Sequence, residues 1–228
     1  MKKKSNQHLT KLCKRKCDEI EILIFYSMLL QRVSLGLFPQ EVSFLMGKPL
    51  DFMSKIESFK IKTILAIDYY IFCRVLNVSS TNSIMLPGMD INLQNHTYEL
   101  EVTTLNDRVV YLLSRLDVEE GQRIIEFKLI DARHDIDPYE DATKLTVEKI
   151  NNLITAEINE GYFSVDRSPS EIHKRCCEKL DKYIQPKNLI KVLDDFLNRS
   201  DERKIIRKAS QYGFGYILAA PTESTEKK

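Results

Sequence analysis

Apolar residues along this chain follow a helical period, then a strand period, then a helical period again. From Asp18 to Leu35 one broad face carries Ile20, Leu23, Ile24, Ser27, Met28 and Leu30, and Asp18, Glu19 and Glu21 complement the helix dipole in the first turn. Gly36 is placed to end that helix. Pro39 suits a first helical position, and the short helix it opens runs to Met46, where Gly47 stops it. After a turn at Lys48–Pro49, a third helix is predicted over Leu50 to Phe59, with Phe52, Met53 and Ile56 inward. A fourth covers Ile64 to Leu76, with Leu65, Tyr69, Phe72, Cys73 and Leu76 inward.

Residues 79–97 are polar, contain Pro87-Gly88 and lack periodicity, so they read as a linker. Alternation then predicts strands over Tyr98–Thr103 and Arg123–Ile130, while Arg108–Leu116 fits either a strand or a helix. The acidic stretch from Asp131 to Asp141 lacks the glycine and the terminal glutamate of a calcium loop. It reads as a solvated loop, and His134 within it gains no catalytic role. The helical period returns from Thr146 to Glu160 at Ile150, Leu153, Ile154 and Ile158, and Gly161 ends it. Ser168-Pro169-Ser170-Glu171 is a helix start signal, with a Ser cap and Glu three residues later, and Ile172, Cys176 and Leu180 form the stripe behind it. Pro186 opens another helix with Leu189, Ile190, Leu193, Phe196 and Leu197 inward. Lys204–Lys208 and Phe214–Leu218 then flank a turn at Ser210–Gly213, which predicts a hairpin.

Charge adds to this picture. Residues 1–17 carry seven Lys/Arg and no acid, residues 18–78 six against seven, residues 79–160 seven against sixteen, and residues 161–220 twelve against eight. A chain basic at both ends and acidic in the middle suits nucleic-acid contact at its ends. The five cysteines are odd in number and irregular in spacing, which fits reduced thiols rather than a zinc site. The longest uncharged apolar run, Ile22 to Gln31, is half of a bilayer crossing, and no secretory pattern opens the chain. The expectation is a cytoplasmic protein with no membrane span, no metal and no cofactor. Enzyme signatures are missing too, since Gly213-Phe214-Gly215 is followed by no helix and no nucleophile elbow occurs.

The run Gly36-Leu37-Phe38-Pro39-Gln40-Glu41-Val42-Ser43-Phe44-Leu45-Met46-Gly47, followed by Phe52-Met53-Ser54-Lys55-Ile56-Glu57 and Lys60, resembles the lambda-repressor/Cro-like helix-turn-helix family over residues 30–77. In that family Arg32 would pair with Glu57. The resemblance implies a helix in the major groove reading base edges, with Leu50, Asp51 and Lys55 base-facing and Ser54 and Lys60 near phosphates. The chain departs from the pattern at Pro39, at Leu50 and Asp51, and at Phe59, where a glycine is common. The C-terminal helices and hairpin resemble a winged-helix domain, which would turn Lys187, Asn188 and Lys191 toward DNA from a helix and Lys204, Arg207, Lys208 and Gln211 from the wing. A helical dimerisation domain with a terminal hairpin is the alternative.

The expected fold is therefore mainly α with small β elements. Its parts are a basic flexible tail (1–17), a helix-turn-helix bundle (18–78), a linker (79–97), a small acidic β-containing segment (98–145), a winged-helix-like domain (146–220) and a disordered tail (221–228). The expected function is sequence-specific binding of double-stranded DNA by a transcriptional regulator, for which the family resemblance implies a homodimer. The rival is a protein-interaction adaptor or antitoxin-like module that docks a partner through an apolar groove at Phe38, Leu50 and Phe59.

Overall fold

The computed structural model describes residues 9–78, 93–117, 121–132 and 144–220. The chain divides into two compact units, residues 1–42 with 51–140 and residues 43–50 with 141–228. Helix makes up 43% and strand 27% of the described residues, so the expected mainly α fold is corrected to a mixed α/β one.

The difference lies in the first unit. Strands β1 (Leu9–Cys17), β2 (His96–Thr104), β3 (Arg108–Leu116) and β4 (Arg123–Ala132) pair in that order, each antiparallel to the next. The small middle segment is thus three strands of one sheet, and the fourth comes from residues expected to be a flexible tail. Parity explains why β1 was hidden. The covered positions of its inward face are Cys13, Arg15 and Cys17, and the one aliphatic residue on that face, Leu9, is exposed at the strand's start. Arg15 is nonetheless half-buried, because its guanidinium pairs with Glu21 at 2.7 Å and lies over the Phe59 ring. The linker expected over 79–97 lies outside the described residues up to 92, and its last two residues open β2.

Four helices lie between β1 and β2 in the chain: α1 (Glu19–Ser34), α2 (Pro39–Leu45), α3 (Phe52–Ile56) and α4 (Ala66–Val75). Phe25 and Tyr26 of α1 set their rings against Phe127 of β4, 6.4 and 4.7 Å between centroids. The buried stripe of α1 is Ile22, Phe25, Met28, Leu29 and Arg32, so of the six residues predicted to face inward only Met28 belongs to it. The prediction followed the uncharged face, whereas the real one ends in a buried arginine. Asp18 caps α1, its Oδ1 accepting from Glu21 N at 2.9 Å. At α2, Pro39 takes the first position and the Glu41 carboxylate accepts from Phe38 N at 2.8 Å. Leu65, expected inside, is 57% exposed.

Helix α3 stops at Ile56, three residues earlier than predicted, and Phe59 adopts a left-handed φ of 55°. That backbone suits glycine, but the Phe59 ring is buried 4.9 Å from the Phe25 ring. Replacing Phe59 with Gly relieves strain of about 1–3 kcal/mol yet forfeits a ring worth about 3–5 kcal/mol. Phe59→Gly is therefore expected to lower stability by about 2 kcal/mol in urea unfolding; a gain in stability would show that the ring contributes little.

In the second unit, α5 (Lys144–Asn159), α6 (Pro169–Lys179) and α7 (Pro186–Leu197) are followed by the hairpin β5 (Ile205–Ser210) and β6 (Gly213–Leu218). Ser168 and Glu171 close a capping box at the start of α6. Glu157 of α5 is buried and pairs with Arg175 at 3.1 Å and Lys179 at 3.7 Å. Eight of the twelve residues of α7 are buried, so this helix runs through the core of its unit. A winged-helix reading requires the same helix to present an open face to a groove, and that part of the expected fold is corrected. Residues 43–50 join this unit through the hairpin: Phe214 N donates to Gly47 O at 2.8 Å, and the Phe44 and Tyr216 rings lie 6.4 Å apart.

Candidate nucleic-acid interface

The base-reading positions implied by the resemblance stand where α3 begins. Asp51 and Lys55 are exposed, and Leu50 and Ser54 are half-buried. One turn apart on the helix, Asp51 and Lys55 form an ion pair of 2.8 Å. Their charges offset each other in the free protein, and an exposed pair of this kind contributes at most about 1 kcal/mol. Opening it in a groove is therefore inexpensive, and would free a cation for phosphate or guanine and a carboxylate for a cytosine amino group. Lys60, past the end of α3, is exposed.

What holds this helix is a buried ionic cluster in the first unit. Arg32 is fully buried, and each of its five N–H groups meets an acceptor. Nε donates to Glu57 Oε1 at 2.5 Å, and one terminal nitrogen donates to Glu57 Oε2 at 3.0 Å and Tyr111 Oη at 2.9 Å. The other donates to Leu37 O at 2.9 Å and Asp131 Oδ2 at 3.0 Å. Burial alone pulls a guanidinium pKa down, but Glu57, Tyr111 and Asp131 more than offset it and hold Arg32 charged above its ordinary range. Burial pushes the Tyr111 hydroxyl up, with Glu57 adding to the shift, so it stays a proton donor. The arginine thereby fixes α1 to α3 through Glu57, and both to the sheet through Tyr111 and Asp131.

Asp131 and Tyr111 had no place among the expected partners of Arg32. Asp131 was expected in a solvated loop; it is instead the last inward residue of β4, 4% exposed. The rest of that acidic stretch, residues 133–141 with His134, lies outside the described residues.

The second expected DNA surface divides. Lys187 and Asn188 are buried at 9% and 7% exposure, which corrects their assignment to a DNA-facing surface, because the broad buried face of α7 takes them in. Lys191 lies on the exposed side of α7. On the hairpin Lys208 and Gln211 are exposed and Lys204 is half-exposed. Arg207 is exposed as well, but its guanidinium pairs with Asp194 at 3.1 Å and lies over the Phe214 ring.

Thiol chemistry is suppressed where the cysteines are buried. Burial pushes the Cys17 thiol up to about 11 and the Cys176 thiol up to about 12, so both are protonated at neutral pH. Among the described residues no group of three His, Cys, Asp or Glu side chains could hold a metal ion. Nor is any single helix there long and apolar enough to cross a membrane. No protein-family model matches the chain, and no curated protein and no solved structure matches it.

Proposed function

We propose that this protein is a DNA-binding regulator in which α3 is the reading element. The observation that carries the proposal is the Arg32–Glu57 brace, which fixes α3 while leaving Asp51, Lys55 and Lys60 exposed. A reading helix needs that combination, since side chains held on a rigid element reach base edges without further ordering cost. The adaptor alternative is less well supported. It needs an apolar groove at Phe38, Leu50 and Phe59, and Phe38 and Phe59 are buried at 9% and 6% exposure.

The test is fluorescence anisotropy of the full chain with mixed-sequence duplex DNA across a salt series. Affinity should fall steeply with salt, by about one unit of log–log slope for each phosphate contact. Lys55→Gln with Lys60→Gln should flatten that slope by about two. Lys204→Gln with Lys208→Gln reports separately on the hairpin, and Arg207 is left in place because Asp194 already holds it. An unchanged slope in both double variants, or no binding at low salt, would sink the proposal.

A further inference from the structure

Lys55 Nζ lies 2.8 Å from Asp51 Oδ2, and the two side chains are 46% and 59% exposed. We propose that this ion pair, unopened, reads one C·G base pair of double-stranded DNA, with Asp51 on the cytosine and Lys55 on the guanine. The inference rests on α3 being the reading element and adds which base pair it selects.

A C·G pair turns the cytosine N4–H toward the major groove beside the guanine O6 and N7. N4 and O6 are hydrogen-bonded to each other, so a donor and an acceptor stand about 2.9 Å apart. The Asp51–Lys55 pair presents the complementary order, acceptor beside donor, at 2.8 Å. The hydrogen-bonding capacities match as well. An ammonium has three N–H donors; Asp51 takes one, which leaves one for O6 and one for N7. The carboxylate keeps lone pairs for the second N4 hydrogen, the one that base pairing does not use. A T·A pair fits less well, although its adenine N6 and thymine O4 are also adjacent. The thymine methyl stands where Lys55 would find N7, and adenine N7 sets an acceptor against the carboxylate. Turned end for end, a G·C pair opposes acceptor to acceptor and donor to donor.

The local structure keeps both groups available. Asp51 caps α3, a position where a carboxylate ordinarily accepts from the first N–H groups of the helix, but its side chain makes no such bond. Its oxygens are thus not spent on the backbone. Lys55 N donates to Asp51 O at 2.9 Å, and two residues on, the buried Arg32 holds Glu57 through two hydrogen bonds. The pair therefore projects from a fixed backbone. While closed it carries no net charge, so Asp51 adds little repulsion as the helix nears the phosphates.

Duplexes selected by the full chain from a random pool define the preferred site, and fluorescence anisotropy then compares single changes in it. One C·G pair is expected whose change to T·A or G·C weakens binding about tenfold or more. Placing 7-deazaguanine there, which removes N7 alone, should lose part of that factor. Asp51→Ala should lower the preference for C·G about tenfold. Exchanging the charges, Asp51→Lys with Lys55→Asp, should turn the preference round to G·C at the same position. Circular dichroism and the thermal midpoint establish that each variant is folded, and Asp51→Ala decides alone if the exchanged chain is not. Salt-dependent binding without a C·G preference overturns the inference and leaves DNA binding standing. So does a preference unchanged by Asp51→Ala, or one that is not reversed in a folded exchanged chain. Failure to bind any duplex at low salt overturns the DNA-binding reading and this inference together.

Discussion

Replacing Arg32 with methionine is expected to destabilise the first unit by about 3–5 kcal/mol, a large share of the roughly 5–15 kcal/mol that holds an ordinary protein folded. Methionine fills most of the space, so the loss is not chiefly one of packing. Glu57 and Asp131, 6% and 4% exposed, would lose the guanidinium that neutralises them, and Leu37 O would lose its donor. Arg32→Lys should recover only part of the stability, because an ammonium has three donors where the site uses five. Urea denaturation followed by circular dichroism measures both variants. Adding Glu57→Gln and Asp131→Asn to Arg32→Met separates charge from shape: if stranded carboxylates cause the loss, the triple variant is more stable than the single one. A triple variant no better than Arg32→Met would mean that the guanidinium acts through contact alone. A fully stable Arg32→Met chain would remove the cluster from any account of how α3 is held.

The same arginine marks the limit of what could be read from the sequence. Pairing of Arg32 with Glu57 follows from the family resemblance, and the distances bear it out. The second carboxylate does not follow from it, because Asp131 opens a run of acids that reads as loop. A local signal was present all the same, for the β4 alternation of Phe127 and Leu129 continues to Asp131 without a break. Strand β1 was missed for a related reason. Period-two analysis counts apolar residues, and a strand whose inward positions are two cysteines and an arginine offers almost none. Caps and turns were legible where the chemistry is short-range, as at Ser168 and Glu171 or at Gly161 with its φ of 78°. Whether an exposed-looking lysine faces solvent is a tertiary matter. Nothing local tells Lys187, inside the unit, from Lys191, outside it, since both lie on one helix a single turn apart.

Gly47→Ala is expected to cost about 3 kcal/mol or more, well beyond the usual penalty for a left-handed alanine, which is about 1–2 kcal/mol. Two glycines of the helical segment share a φ of +65°, and their surroundings differ. A Cβ on Gly36 would meet nothing within 4 Å, so Gly36→Ala measures the backbone penalty by itself. A Cβ on Gly47 would stand 2.7 Å from Phe214 O and 3.3 Å from Phe214 N. Those are backbone atoms of β6, which cannot rotate away as a flexible side chain would. The opposite side of the contact is equally tight: a Cβ on Gly213 would approach Gly47 O to 2.4 Å. Gly213 has no positive φ, so Gly213→Ala isolates the steric part, about 1–3 kcal/mol for an overpacked site. Thermal or urea unfolding of the three variants separates the contributions. If the turn rests on the hairpin, Gly47→Ala should exceed Gly36→Ala by roughly the Gly213→Ala cost, and combining Gly47→Ala with Gly213→Ala should be strongly non-additive, because one displaced strand relieves both clashes. Equal costs at Gly36 and Gly47 would mean that the hairpin does not press on the turn in solution. The turn at Gly47 would then be held by its own backbone, with no contribution from the C-terminal hairpin.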